Sequence, residues 1–298
     1  MIEATAGFCA RKMPADTPAV REARVVIAIR VRYSRPSMVD IHCHLLPGLD
    51  DGPESLDMSI AMCEMAIADG ITHIIATPHA DSSYAFQPDL IRRRRDELQA
   101  RFEGQLDLAT GCDFHLSFEN IEDLRQYPAK YTLNQKRYLL VEFNDYSIPP
   151  AMDQTLHHLQ LYGATPIITH PERNPLIRNN TERLYRWIRT GCYVQITAQS
   201  ILGKFGAQAM TMAESWLKDG AVHFFASDAH NVTSRPLQLK EAYAKVASKN
   251  GKEVAEGLFV ENPRAVFDGE SLPFVLELPE DRGHAPGARK KRKRFWFF

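Results

Sequence analysis

The most informative stretch of the sequence is Val39-Asp-Ile-His-Cys-His-Leu-Leu-Pro-Gly-Leu-Asp-Asp-Gly52. It opens with a short apolar run that is typical of a buried strand. His42 and His44 close this run, and because residues two apart on a strand point to the same side, both imidazoles can bind one ion. Cys43 lies between them and points the other way. The stretch therefore predicts a buried strand that ends in a metal site.

Beyond this strand, short apolar runs alternate with longer amphipathic segments up to about residue 268. This alternation is typical of βα units around a parallel sheet, and seven strands favour a barrel over an open sheet. The predicted strands are Val39–His44, His73–Thr77, Leu106–Phe114, Tyr138–Phe143, Thr165–His170, Cys192–Thr197 and His223–Ser227. The predicted helices are Ser55–Asp69, Pro88–Phe102, Ala151–Tyr162, Thr181–Thr190, Ala207–Lys218 and Leu237–Lys249.

Side chains that can bind metal follow the predicted strands at their carboxyl ends. In a βα barrel these ends converge on one face, where active sites lie. Chance would have scattered such residues over helices and loops as well. Ligation by imidazole and carboxylate together suits Mn²⁺, Fe²⁺ or Zn²⁺. The residues at these ends are His42, His44, His79, Asp113, His115, Glu142, His170, Asp228 and His230.

Composition limits the class of protein. The chain has 298 residues, of which 44% are hydrophobic, enough for one large domain with a buried core. It has no run of about 18 apolar residues that could span a bilayer. Its five cysteines are widely spaced without a CxxC pair, which favours reduced thiols. We therefore expect a cytoplasmic protein.

The two ends of the chain differ from its centre. We expect residues 1–37 to be an N-terminal extension, either disordered or an artefact of the assigned start, and residues 38–278 to form the catalytic domain. Residues 279–298 form a tail in which Arg289-Lys-Lys-Arg-Lys-Arg294 precedes Phe295-Trp-Phe-Phe298. This tail could contact an anionic inner membrane surface. The net charge of the whole chain is −1 although residues 289–294 carry six positive charges, so the rest of the chain is acidic. An acidic remainder argues against a nucleic-acid partner.

An ordered set of motifs resembles the polymerase and histidinol phosphatase (PHP) superfamily. Within it, the chain is similar to the bacterial manganese-dependent protein-tyrosine phosphatases of capsule and exopolysaccharide operons. The resemblance covers about residues 38–268. Its motifs are Val39–Gly52, Thr77-Pro-His79, Val141-Glu-Phe143, Thr169-His-Pro-Glu-Arg173, Ser227-Asp-Ala-His-Asn231 and Ser234-Arg-Pro236.

The resemblance implies a distorted seven-stranded barrel of the PHP type with two or three metal ions. It implies Mn²⁺, with Fe²⁺, Co²⁺ or Zn²⁺ as alternatives, and arginines at 173 and 235 that contact phosphate. Asp51 is a ligand by resemblance alone. Asp113 replaces the glutamate usual in such phosphatases, and its carboxylate is one methylene shorter. The predicted metal ligands are His42, His44, Asp51, His79, Asp113, Glu142, His170, Asp228 and His230.

The expected reaction is hydrolysis of phosphotyrosine by a metal-bridging hydroxide that attacks phosphorus in line. Arg173 and Arg235 would bind the phosphoryl oxygens, and His230 or a bound water would protonate the leaving oxygen. Asp51, Arg173, Arg235 and His230 are thus the predicted catalytic residues. The implied partner is a bacterial tyrosine autokinase that controls polysaccharide export.

Two other functions stay open at this point. One is a phosphatase for histidinol phosphate or another small molecule, and the other is a non-catalytic docking regulator of a kinase or polymerase. A thiol phosphatase is excluded because none of the cysteines has an arginine six residues on. A Walker-type nucleotide loop is also absent from the sequence.

Overall fold

The computed structural model describes residues 37–279. The predictions for the N-terminal extension and for the basic tail lie outside these residues. The described part contains nine strands, each preceded or followed by helical segments. The strands are β1 (Met38–Cys43), β2 (Ile71–Ala76), β3 (His79–Ala80), β4 (Asp107–Thr110), β5 (Asp113–His115), β6 (Tyr138–Glu142), β7 (Thr165–Thr169), β8 (Tyr193–Thr197) and β9 (Phe224–Ala226).

The strands form two sheets. The smaller sheet has the order β1-β2-β4 and the larger has the order β3-β5-β6-β7-β8-β9. Every pair of neighbouring strands is parallel. Parallel neighbours require crossover connections, and helices supply most of them. The predicted α/β architecture with parallel strands is therefore confirmed.

The helices cover the sheets and bury their apolar sides against them. Helix α1 shows how the sequence sets such an element: Ser55 caps its first turn by accepting a hydrogen bond from the amide of Met58, and Gly70 ends it in a left-handed conformation. The α-helices are α1 (Leu56–Asp69), α2 (Pro88–Gln99), α3 (Phe118–Gln126), α4 (Met152–Leu161), α5 (Pro175–Arg178), α6 (Thr181–Arg189), α7 (Ala198–Ile201), α8 (Gly206–Lys218), α9 (Lys240–Asn250), α10 (Lys252–Glu256) and α11 (Asn262–Asp268). Across the described residues, no helix combines the length and the apolar character that crossing a membrane would require.

The prediction of one continuous strand over residues 106–114 is wrong. The chain breaks at Gly111-Cys112, so that β4 pairs with β2 in the smaller sheet and β5 pairs with β3 and β6 in the larger one. At the break, Gly111 passes so close to Leu133 that an added Cβ would lie 2.5 Å from the leucine side chain. As a result Asp113 opens a strand of its own instead of closing a longer one.

The two sheets meet on both sides. On one side the chain itself joins them, because β2 leads into β3 and β4 leads into β5, and the amide of Asp113 donates to the carbonyl of Pro78 at 3.2 Å. On the other side Cys43, at the end of β1, forms an isolated parallel bridge with Ala229, just after β9. These contacts place the carboxyl ends of β1 and β9 next to each other, and the amino ends of β3 and β5 directly after β2 and β4.

A buried carboxylate reinforces the junction between β1 and β9. Asp40 is fully buried, and its side chain accepts hydrogen bonds from the amide of Ser227 at 3.0 Å and from its hydroxyl at 2.5 Å. It also accepts from the amide of His42 at 3.3 Å. Asp40 therefore fixes the segment that leads into Asp228.

We predict that Asp40→Ala lowers the free energy of unfolding by about 2–3 kcal/mol, because it leaves buried donors of Ser227 and His42 without an acceptor. Urea denaturation followed by circular dichroism measures the change. Asp107→Ala is the matched control, since Asp107 is two-thirds exposed and pairs with His73 at the amino end of β2. Equal losses in the two variants would contradict a special role for Asp40.

Candidate active site

All nine predicted metal ligands lie close to one another. They fall into four overlapping sets, and in each set one ligand atom per residue lies within 4.8 Å of all the others. Overlap means that some residues face more than one candidate position. The sets are His44, Asp51, His79 and His230; His79, Asp113, His115 and Glu142; His42, Asp113 and His170; and His42, His44 and Asp228.

Two fully buried carboxylates lie at the centre of these sets. The Nε2 atom of His42 lies 3.5 Å from Asp113 Oδ2 and 3.4 Å from Asp228 Oδ1. The Nε2 atom of His44 lies 3.6 Å from the same Asp228 oxygen. His79 Nδ1 lies 3.3 Å from Asp113 Oδ2. These separations are wide enough for a cation to lie between each imidazole and its carboxylate.

Hydrogen bonds at Nδ1 orient three of the histidines. His42 Nδ1 lies 3.0 Å from the side-chain oxygen of Gln195, and His44 Nδ1 lies 2.7 Å from Asp50. His230 Nδ1 lies 3.0 Å from the backbone carbonyl of Asp228. Because these partners accept hydrogen bonds, each Nδ1 donates its proton to them, which leaves Nε2 as the atom available to a cation. This arrangement is typical of histidines that bind metal.

The residues of the site fit a divalent cation. Buried polar atoms are normally hydrogen-bonded, but several atoms that face the centre have no such partner among the described residues. A cation between them would satisfy nitrogen lone pairs and carboxylate charge together. These atoms are His42 Nε2, His44 Nε2, His79 Nδ1, and Asp113 Oδ1 and Oδ2.

Two arginines converge on the same centre. Arg173, from the loop after β7, and Arg235, from the loop after β9, both contact Asp228 Oδ2, the second at 2.5 Å. The guanidinium of Arg173 also lies over the ring of Phe205 at 4.5 Å. Stacking of this kind fixes the plane of the guanidinium and leaves its edges free for an anion. The two predicted phosphate contacts thus lie beside the metal-binding side chains.

Electrostatic coupling is strong at this site. Burial disfavours the charged form of His42, but Asp113 and Asp228 outweigh it and raise its pKa to about 9. The pKa of His79 rises to about 11 against burial, because Asp113 and Asp51 hold its proton. Burial lowers the pKa of His44 to about 4 although Asp50 opposes this shift.

Sequence reasoning missed two residues of this site and left a third, named among the strand-end residues, out of the ligand set. Asp50 and Gln195 orient His44 and His42, and His115 belongs to one of the metal-binding sets. The position of His115 two residues after Asp113 was a usable signal, because both side chains then point to the same side of a strand. Gln195 sits mid-strand, and its sequence gives no signal of this role.

A family model described as capsular polysaccharide synthesis, CpsB/CapC, matches residues 38–268. The chain is 34% identical over 265 residues to the tyrosine-protein phosphatase YwqE of Bacillus subtilis, covering 88% of this chain and all of the relative. It is 32% identical over 242 residues to the tyrosine-protein phosphatase CpsB of Streptococcus agalactiae, covering 77% of this chain and 98% of the relative. The chain belongs to the CpsB/CapC family.

Solved structures agree with this assignment. One from work on YwqE of Bacillus subtilis and CpsB of Streptococcus pneumoniae, described as unique metal-dependent tyrosine phosphatases, has a TM-score of 0.74 and 35% identity. It covers 79% of this chain and 96% of its own. The lactonase Lmo2620 of Listeria monocytogenes, with a TM-score of 0.51 and 12% identity, covers 80% of this chain and 96% of its own. That second likeness shows the fold alone.

We predict that binding of a divalent cation near pH 7 releases roughly two protons, because the raised pKa values of His42 and His79 keep both imidazoles charged in the cation-free protein. The apparent affinity should therefore rise as the pH increases toward about 9. Isothermal titration calorimetry in buffers of different ionisation enthalpy measures the released protons. Binding enthalpies that do not depend on the buffer would contradict this prediction.

Proposed function

We propose that this chain is a metal-dependent protein-tyrosine phosphatase. The observation that carries the proposal is that two arginines and the predicted metal ligands share one carboxylate, Asp228. The site therefore combines ligands for cations with paired guanidinium groups for a phosphoryl dianion. The named activity of the relatives at 32–34% identity supports the same reaction.

The proposed cofactor is Mn²⁺, in two or three ions, with Fe²⁺, Co²⁺ or Zn²⁺ as alternatives. His42, His44 and Asp228 would hold one ion, and His79, His230 and Asp51 a second. Asp113, Glu142 and His170 would hold a third, and neither oxygen of Asp113 has a hydrogen-bond partner within the described residues. Cations so bound would lower the pKa of water and thus supply a nucleophile near neutral pH.

Arg173 and Arg235 would bind the phosphoryl oxygens of the substrate. Each guanidinium is about three-quarters buried, so its charge acts in surroundings where water screens it little. Arg178 donates to the backbone carbonyls of Glu172 and Arg173 and so holds the loop that carries Arg173. The chain thereby positions two charges before the substrate arrives, which favours the transition state.

His230 serves better as a ligand than as a proton donor. Its Nδ1 proton is directed at a backbone carbonyl, and its Nε2 lone pair faces Asp51 at 3.3 Å and the Arg235 guanidinium at 2.9 Å. An acid would need a proton on the atom that faces the substrate. We therefore propose His230 as a metal ligand, and a tyrosinate leaving group makes this workable because its pKa near 10 reduces the need for an acid.

We further propose that the two sheets form a distorted barrel of the PHP type within residues 38–278. The bridge between Cys43 and Ala229, and the continuation of β2 into β3 and of β4 into β5, support closure on both sides. Residues 1–37 would be an extension outside this domain. The phosphorylated partner would be a bacterial tyrosine kinase in the cytoplasm, and the basic tail at 289–298 would contact an anionic membrane.

We predict that Arg173→Lys and Arg235→Lys each lower kcat/KM for an aryl phosphate by about 10²-fold or more, because lysine keeps the charge and loses the fork geometry. Metal content should not change, since neither residue is a ligand. Asp228→Ala should lose both metal and activity. Arg264→Lys is the matched control, because Arg264 pairs with Asp268 and lies beside His73 at the amino end of β2. Full activity in Arg173→Lys and Arg235→Lys would refute the proposed phosphate site.

A comparison of substrates separates this function from its alternatives. A phosphotyrosine peptide should be hydrolysed with a higher kcat/KM than histidinol phosphate. The reverse order would indicate a small-molecule phosphatase. A metal-loaded protein that hydrolyses neither compound, yet binds a kinase, would be a docking regulator.

We predict that the full-length chain co-sediments with anionic liposomes and that a chain truncated after residue 279 does so less, since each basic residue near the surface contributes about 1 kcal/mol. The salt dependence of binding should be steep for the same reason. Neutral liposomes are the control for nonspecific adsorption. Equal binding by both chains would exclude the tail as a membrane contact.

A further inference from the structure

His115 is an imidazole of the site that lies outside the predicted ligand set. It ends β5 and is paired in register with Glu142, which ends β6. The two side chains meet with His115 Nε2 at 2.5 Å from Glu142 Oε2. This separation is that of a hydrogen bond, and neither atom has another partner within the described residues. His115 thus directs a buried imidazole nitrogen at the metal-binding carboxylates.

Four side chains surround one candidate position next to His115. They are His79, Asp113, His115 and Glu142, and their ligand atoms lie within 4.8 Å of one another. Two imidazoles and two carboxylates are enough to complete a four-coordinate site. Asp113 is fully buried and neither of its oxygens has a hydrogen-bond partner in the part of the chain that the structure describes, so it is available to this position and to its neighbour.

His79 belongs to two of the candidate ligand sets, so one of these sets needs another imidazole, and His115 can supply it. His79 Nε2 lies 3.5 Å from Asp51, and its Nδ1 lies 3.7 Å from Glu142, so the ring faces two sets of ligands. A neutral imidazole has one lone pair and coordinates through one nitrogen. When His79 serves the set that contains Asp51, His115 is the remaining imidazole of the set that contains Glu142.

The shorter side chain of Asp113 also supports a role for His115. Similar phosphatases usually have glutamate there, and aspartate reaches one methylene less far. His115 lies two residues along the same strand, on the side of Asp113, where its longer side chain can fill the gap. We propose that His115 is an additional metal ligand, an inference that rests on the proposed metal centre. As a ligand, it makes this position prefer Zn²⁺, Co²⁺ or Fe²⁺ over Mn²⁺, since imidazole favours those ions.

Metal binding itself tests the inference, independently of turnover. The full-length wild type and His115→Ala are loaded with Co²⁺ or Zn²⁺, and bound ions per chain are measured by mass spectrometry together with Co²⁺ absorption spectra. We expect His115→Ala to lose one ion, or to bind it at least about tenfold more weakly, with an altered Co²⁺ spectrum. His115→Asp should keep the ion but move the preference from Zn²⁺ toward Mn²⁺ in competition.

Two controls make the outcomes separable. His73→Ala removes a histidine that pairs with Asp107 at the other end of β2 and should leave metal content unchanged. His115→Gln keeps the side-chain volume should the alanine variant fail to fold, and it should show the same loss of metal. Unchanged stoichiometry, affinity and spectrum in the His115 variants would overturn this inference alone. A wild-type chain that binds no divalent cation would overturn the proposed centre as well.

Discussion

The structure depends on the burial of negative charge. Asp113 and Asp228 are both about 1% exposed, and a carboxylate so buried is costly unless positive groups surround it. Their pKa values are held well below the ordinary range against the effect of burial, chiefly by His42. Imidazolium groups, guanidinium groups and bound cations can therefore each supply the positive charge that offsets these carboxylates. This explains why the strand ends are rich in histidine and why the arginines turn inward.

Much of the site could be predicted because strands impose regular geometry. His42 and His44 follow from the alternation of side chains along β1, and the convergence of strand ends follows from parallel βα connectivity. Asp51 did not follow from such reasoning, because it lies in a loop without periodicity. Its neighbour Asp50 has the same chemistry, but it is buried behind His44 while Asp51 is about half exposed. Only tertiary structure distinguishes the roles of these adjacent carboxylates.

The missed break between β4 and β5 has a similar origin. Residues 106–114 are apolar enough to read as one strand, and the local sequence contains only Gly111 as a sign of interruption. The break is set by the approach of Leu133, a residue more than twenty positions away. It places Asp113 and His115 on a strand of the larger sheet, beside Glu142. Packing between distant segments therefore decides which side chains share a metal position.

Backbone strain shows how the ligands are held in place. His170 and Asp228 have φ values of 32° and 52°, in the left-handed region that costs non-glycine residues of order 1–3 kcal/mol. Each follows a strand, and the unusual conformation redirects its side chain from the strand alternation toward the centre. The backbone carbonyl of Gln195 accepts from the His170 amide at 2.8 Å, which offsets part of this cost, and the Gln195 side chain holds His42.

Hydrogen bonds also hold Asp228, the other ligand with a left-handed backbone conformation. The amide of Asp228 donates to the carbonyl of His42 at 2.8 Å, and Asp40 fixes Ser227 immediately before it. The three strands β8, β1 and β9 are thus connected by hydrogen bonds that run through the ligands themselves. A shift of any one strand would break bonds at two ligands at once. The strained backbone conformations of the ligands persist because hydrogen bonds from three strands hold them. The rigidity of the metal centre therefore depends on the whole junction between these strands.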